Sequence, residues 1–336
     1  MQTSIPLEHA PRTSARDIPI TAADGFVLAA SRFDPPPDAP ALPPVVIAAA
    51  TAVRRGYYAK FARFLAAQGH PVLTFDYRGI GGSVPRGPDQ EDMRMHQWGQ
   101  LDLDAAIQAL RLEFPDAPPL MVGHSVGGQI LPLAERAADL AGLLLVASQS
   151  GAPRHWQGRN RLKMIVTWHL IGPALTCLYG YLPGYVLGGE PLPKGIVQEW
   201  MRWGRHPDYI LGYFPELLQR FRALSFPLRL YSFTDDFYGP KAAVDELFGW
   251  YGGHAKERRH LSPADVGVRR IGHFGFFRDS FAPTLWAEAA AWLRKAGDES
   301  ASRTGPASSL GASPEGRDGG DGPLTADAGG RTLAAP

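Results

Sequence analysis

A serine, an acid and a histidine stand in this chain in an order that can do chemistry. Residues 120–128 read Leu-Met-Val-Gly-His-Ser-Val-Gly-Gly. The apolar run ends in Gly123-His124-Ser125-Val126-Gly127, the G-x-S-x-G pattern of a nucleophile elbow. In such an elbow a strand turns sharply into a helix, and small flanking residues admit the strained turn. The hydroxyl then stands above the sheet, and the helix start directs N–H groups at any anion formed beside it. A serine hydroxyl attacks only when a base takes its proton, and that base needs an orienting acid. Thr234-Asp235-Asp236 follows an apolar run at 227–233, and Gly272-His273-Phe274 follows a run at 256–262. Counting from the strand end favours Asp235 as the acid, with Asp236 as the alternative. Of the ten histidines, only His254, His260 and His273 follow the acid. His260 falls inside the predicted strand and His254 precedes it, which leaves His273. The order Ser125, Asp235, His273 is one of the three in which such triads occur. The plain readings are a serine and an aspartate that cap helices and a histidine that packs; they weaken when all three fall in order.

These residues need elements to hold them. Runs 16–22 and 26–33 flank Asp24-Gly25, a hairpin signal. Apolar runs at 45–50, 71–76, 120–123 and 142–148 alternate with helical patterns at 57–68, 97–113 and from Val126 onward. Strand 227–233, helix 244–251, strand 256–262 and helix 281–295 resume the pattern after a pause. Strands apolar on both faces, alternating with helices, predict a parallel sheet covered on both sides. Pro132, seven residues after Ser125, predicts a short or kinked helix behind the elbow. Residues 1–15 read as a loose arm, and the Gly/Ala/Ser/Pro-rich stretch 298–336 as a disordered tail.

The chain resembles the α/β-hydrolase superfamily, and within it the serine-aminopeptidase/monoacylglycerol-lipase-like hydrolases of bacterial type. The resemblance rests on Gly123-His124-Ser125-Val126-Gly127-Gly128, Asp76-Tyr77-Arg78-Gly79-Ile80-Gly81-Gly82-Ser83, Thr234-Asp235-Asp236 and Gly272-His273-Phe274, and spans roughly residues 16–297. It implies a mostly parallel eight-stranded sheet with helices on both faces and a helical lid inserted after strand 6, over residues 151–225. Relatives usually carry His-Gly after the third strand, where the first oxyanion donor arises. Here the segment is Ala49-Ala50-Thr51-Ala52. Since a backbone N–H needs no particular side chain, the expected donors are Val126 and Thr51, with Ala52 as the alternative to Thr51.

Composition excludes several classes. With 34 basic and 33 acidic residues, nothing favours nucleic acid. One cysteine, Cys177, excludes an internal disulfide and Cys-rich zinc sites, and a cytoplasmic setting follows as the default. Gly79-Ile80-Gly81-Gly82 follows a strand, but Val84 stands where G-x-G-x-x-G needs its third glycine, so a structural turn is expected. No metal or cofactor is expected. The insertion is rich in aromatics, and residues 164–189 carry no Asp, Glu, Lys or Arg. Gly172, Pro173, Gly180, Pro183 and Gly184 within that run favour two short apolar helices over one membrane span. Such an insertion suits a roof over an apolar pocket and peripheral contact with a membrane. The expected activity is a Ser-His-Asp hydrolase acting through an acyl-enzyme on a small ester or thioester with an apolar acyl part. A ligand-binding scaffold of the same fold and a peptidase or amidase are the alternatives.

Overall fold

The turn at Asp24-Gly25 joins β1 (Ser14–Thr21) to β2 (Val27–Asp34) as an antiparallel hairpin. In the computed structural model, which describes residues 14–85, 92–253 and 255–304, the chain continues through β3 (Val45–Ala48), α1 (Ala59–Ala67), β4 (Val72–Phe75), α2 (Asp104–Glu113), β5 (Leu120–His124), α3 (Val126–Ile130) and β6 (Gly142–Val146). Every residue of β3, β4, β5 and β6 is buried, as expected of strands covered on both faces. The insertion holds α4 (Gly158–Val166), α5 (Gly172–Tyr179), a two-residue ribbon of β7 (Tyr181–Leu182) and β8 (Leu192–Pro193), α6 (Lys194–Arg205) and α7 (Leu217–Ala223). Strand β9 (Leu228–Phe233), α8 (Lys241–Trp250), β10 (Lys256–Leu261) and α9 (Ala287–Thr304) complete the chain.

The main sheet has eight strands in the order β1-β2-β4-β3-β5-β6-β9-β10. Only the β1–β2 and β2–β4 pairs are antiparallel. The chain leaves β3 to one side for β4 and returns to its other side for β5, so the strand order reverses there. In open α/β sheets that switch point is where ligands bind, at the carboxyl ends of the strands. Here those ends are Ala48 and His124.

Three expectations need correction. Ser14 and Ala15 belong to β1 and not to a loose arm, whose residues 1–13 lie outside the described part. The tail begins later than expected, because α9 carries residues 298–304; residues 305–336 lie outside the described part. The apolar run is also one helix and not two. Gly158–Tyr179 is continuous, with a π-type turn at Thr167–Ile171 joining α4 to α5. Pro173 lies inside this continuous helix, directly after the π-type turn, whose wider register accommodates the bond that its missing N–H cannot make. Met164, Trp168, Gly172 and Thr176, spaced by four, form its buried face. Leu162, Ile165, Leu170, Ile171 and Leu178 are exposed. By length and composition alone it is long and apolar enough to cross a membrane.

Candidate active site

The elbow is built by close approach. Ser125 sits at φ 52° and ψ −112°, a strained conformation for a residue with a side chain. Its N–H donates to Val146 O at 3.0 Å, which fixes the turn to the neighbouring strand. A Cβ at Gly127 would lie 2.8 Å from Ala48 O, and one at Gly128 2.6 Å from Ser148 Oγ. Only glycine lets α3 start this close to β3 and β6. As expected, α3 is short, and Pro132 enters a 3-10 turn at Leu131–Leu133.

Ser125, Asp236 and His273 come together. Ser125 Oγ lies 2.9 Å from His273 Nε2, and His273 Nδ1 lies 2.7 Å from Asp236 Oδ2. Asp236 Oδ1 accepts the N–H groups of Tyr238 and Gly239 at 2.8 and 3.1 Å. A carboxylate can only accept, so His273 carries its proton on Nδ1 and presents a bare Nε2 to the serine hydroxyl. All three residues are buried.

This overturns the preference for Asp235. The N–H of Asp236 donates to Phe233 O at 3.2 Å, closing a turn directly after β9. The turn swings Asp235 outward and brings Asp236 to face the histidine. Asp235 instead accepts the N–H groups of Ile271 and Gly272 at 2.9 and 3.0 Å, bracing the loop that carries His273. Neither rejected histidine joins the site. His260 Nδ1 pairs with Ser232 Oγ at 2.8 Å on β10, and His254 lies outside the described residues.

A second group of residues, which the sequence reading missed, ties the pieces together. His124 Nε2 lies 3.0 Å from His273 O, so that nitrogen must carry the proton and donate. His124 Nδ1 is then an acceptor for the Tyr58 hydroxyl at 2.8 Å, and Tyr58 Oη accepts Ala50 N–H at 2.8 Å. Burial and the neighbouring His273 hold His124 far below the usual histidine range, which agrees with a neutral ring. Tyr57 Oη donates to Phe274 O at 2.6 Å. One turn at Arg55–Tyr58 therefore grips both the Ala50–Thr51 segment and the histidine loop. No motif announces Tyr57 and Tyr58; only the paired aromatics beside the third strand could have hinted at them.

Among the described residues, the N–H groups of Thr51 and Ala52 take no backbone acceptor. Val126, as the first residue of α3, has no acceptor within its helix. Thr51 and Ser125 line the same cavity of about 700 Å³. Its walls are mostly apolar and come from the insertion, among them Trp156, Met164, Trp168, Val197 and Trp200. The Gly79-Ile80-Gly81-Gly82 loop is a structural turn. It wraps the buried Asp76, which accepts Gly82 N–H at 2.9 Å and pairs with the Arg55 guanidinium.

Solved structures share this architecture. A soluble variant of monoglyceride lipase from Saccharomyces cerevisiae, in complex with a substrate analog, matches with a TM-score of 0.62 at 16% identity, over 87% of this chain and 97% of that one. The esterase domain of a Rhodothermus marinus protein matches with a TM-score of 0.54 at 22% identity, over 84% of this chain and 98% of that one. The chain has the α/β-hydrolase fold. Residues 40–176 of the chain match the family described as serine aminopeptidase, S33. Human monoglyceride lipase is 26% identical over 151 residues, 43% of this chain and 48% of that protein. The chain thus aligns with about half the length of that relative. The matched region holds Thr51, Ser125 and Val126 and stops before Asp236 and His273.

Proposed function

We propose that this chain is a serine hydrolase of carboxylic esters or thioesters with an apolar acyl part. The observation that carries the reading is the line Ser125 Oγ, His273 Nε2, His273 Nδ1, Asp236 Oδ2, with separations of 2.9 and 2.7 Å, at an apolar cavity. His273 takes the serine proton as Ser125 attacks the carbonyl carbon, and later delivers it to the leaving oxygen or sulfur. Asp236 fixes the reactive tautomer and stabilises the imidazolium. The N–H groups of Val126 and Thr51, with Ala52 as the alternative to Thr51, hold the oxyanion. The acyl-enzyme is then cleaved by water through the same histidine. The similarity to lipases and esterases supports ester substrates.

The cavity argues against an aminopeptidase despite the family's description. Such an enzyme must hold a free α-ammonium, which calls for a carboxylate. Among the described residues, no Asp or Glu lines the cavity, while Arg159 and Lys163 do. The exposed Leu162, Leu170, Ile171 and Leu178 support peripheral contact with a lipid surface, and the insertion would then act as a lid that receives apolar esters from it. A cytoplasmic setting completes the reading.

Fluorophosphonate labelling and a p-nitrophenyl ester series of increasing acyl length test this. The expected result is labelling and turnover, both lost in Ser125→Ala. A folded wild type that neither labels nor turns over any ester would leave the non-catalytic scaffold as the better account. Co-sedimentation with liposomes, weakened by Leu170→Glu with Leu178→Glu, checks the membrane contact; equal binding by this variant would refute it.

A further inference from the structure

Three polar side chains on the cavity wall are committed to one another. Trp200 Nε1–H donates to Tyr209 Oη at 3.1 Å, and the Tyr209 hydroxyl donates to Gln129 Oε1 at 2.9 Å. Gln129 Nε2–H donates to the main-chain oxygen of Gln149 at 2.8 Å. The chain of bonds uses both ends of the Gln129 amide and pins the backbone at Gln149. The Gln149 side chain is left over. It is 7% exposed and lines the cavity, and its Oε1 is buried with no hydrogen-bond partner. Among the described residues, the other cavity-lining side chain with an orphaned buried atom is Trp168. Its Nε1 faces α6, 3.0 Å from where a Cβ on Gly204 would stand, and so serves packing.

A buried acceptor without a donor is costly, and native proteins rarely keep one without a use. Water is a poor occupant here, because a bound water needs two to four polar partners and the nearby Gln129 and Tyr209 are already taken. Ser125 opens into the same cavity, so an acyl group on Ser125 enters the space that Gln149 borders. We infer that the preferred acyl chain carries a hydrogen-bond donor, of which a hydroxyl is the simplest form, and that Gln149 Oε1 receives it. This selects hydroxylated acyl chains over plain alkyl chains of equal length, and it rests on the acyl-enzyme reading above. Specificity then comes mainly from rejection: a plain chain leaves Oε1 unpaired in an apolar space.

The test uses p-nitrophenyl esters of one chain length, plain or hydroxylated at successive carbons, on wild type and Gln149→Met. Methionine keeps the length and removes the acceptor. Wild type is expected to favour one hydroxylated ester by about 10-fold in kcat/KM. In Gln149→Met that ratio falls to about one, while Ser125 is still labelled by fluorophosphonate and the Tm stays near wild type. The inference is overturned if wild type favours the plain chain at every position, or if Gln149→Met keeps the preference. A wild type that is unlabelled and hydrolyses no ester fails earlier, at the Ser125 reading, and takes the inference with it.

Discussion

Exchanging each adjacent aspartate for asparagine separates the two roles that the structure gives them. In Asp236→Asn, the amide oxygen must keep the position that accepts Tyr238 and Gly239 N–H, since an NH₂ there would face two donors. The NH₂ then takes the place of Oδ2, 2.7 Å from His273 Nδ1. It can only donate, so the ring proton moves to Nε2. That nitrogen faces Ser125 Oγ at 2.9 Å and can no longer accept its proton. A wrong tautomer in such a triad costs about 10⁴-fold in kcat, or roughly 5.4 kcal/mol of barrier. Asp235→Asn keeps one acceptor for the Ile271 and Gly272 N–H groups and leaves the tautomer alone. Its kcat is expected within about 10-fold of wild type, with Tm lower by a few degrees. Single-turnover hydrolysis of a p-nitrophenyl ester reads the first effect, and thermal unfolding reads the second. If Asp235→Asn is the slower variant, or if Asp236→Asn stays within tenfold of wild type, the assignment of the acid is refuted.

Two further expectations follow from the buried network. Tyr58→Phe removes the hydroxyl between Ala50 N–H and His124 Nδ1 and leaves both buried groups unpaired, at about 3 kcal/mol together and roughly 6 °C in Tm. It also slows turnover, because Ala50 precedes Thr51; an unchanged Tm would show that the relay is not made. His124 and His70 are both held below the usual histidine range, chiefly by burial. From about pH 6.5 downward the unfolded chain binds protons at these positions that the folded one refuses, so stability is full above that pH and falls below it. Asp102, pushed up by burial to about 6, opposes part of this, because its folded form takes a proton first. The net expectation is a Tm that drops between pH 7 and 5, with a shallower slope in His70→Gln; an equal slope in that variant would remove His70 from the account.

The alternation of apolar runs gave away the strands, because a parallel strand buried on both faces has no polar side to confuse the reading. Ser125 and His273 were legible for a similar reason: each belongs to a motif whose neighbours are constrained by the turn it must make. Asp236 was not, because the choice between adjacent carboxylates depends on how tightly the chain turns after Phe233. Nothing in Thr234-Asp235-Asp236 states that. The continuity of Gly158–Tyr179 was hidden for the opposite reason. Gly172 and Pro173 are true breakers in isolation, but the π-type turn at Thr167–Ile171 just before them carries the helix past the missing N–H. Tyr58 and His124 act over a separation of 66 positions, and no local pattern encodes a contact of that kind.

The segment after β3 shows how the insertion and the candidate oxyanion donors depend on each other. Ala52 sits at φ 61°, a left-handed conformation that disfavours any residue with a Cβ by about 1–2 kcal/mol. Something outside the segment must hold it there. The Ala52 carbonyl accepts Glu190 N–H at 2.7 Å, and the Glu190 side chain pairs with Arg54 at 3.1 Å. A Cβ on Gly189 would lie only 2.2 Å from Ala52 O, so the insertion approaches as closely as backbone allows. From the other side, Tyr58 holds Ala50 N–H, and Val53 N–H returns to Ala50 O at 3.2 Å. Thr51 and Ala52 are thus clamped between the sheet and the insertion, with their own N–H groups left uncommitted. The left-handed turn at Ala52 is therefore held from the insertion as well as from the sheet, and loosening the insertion would release it.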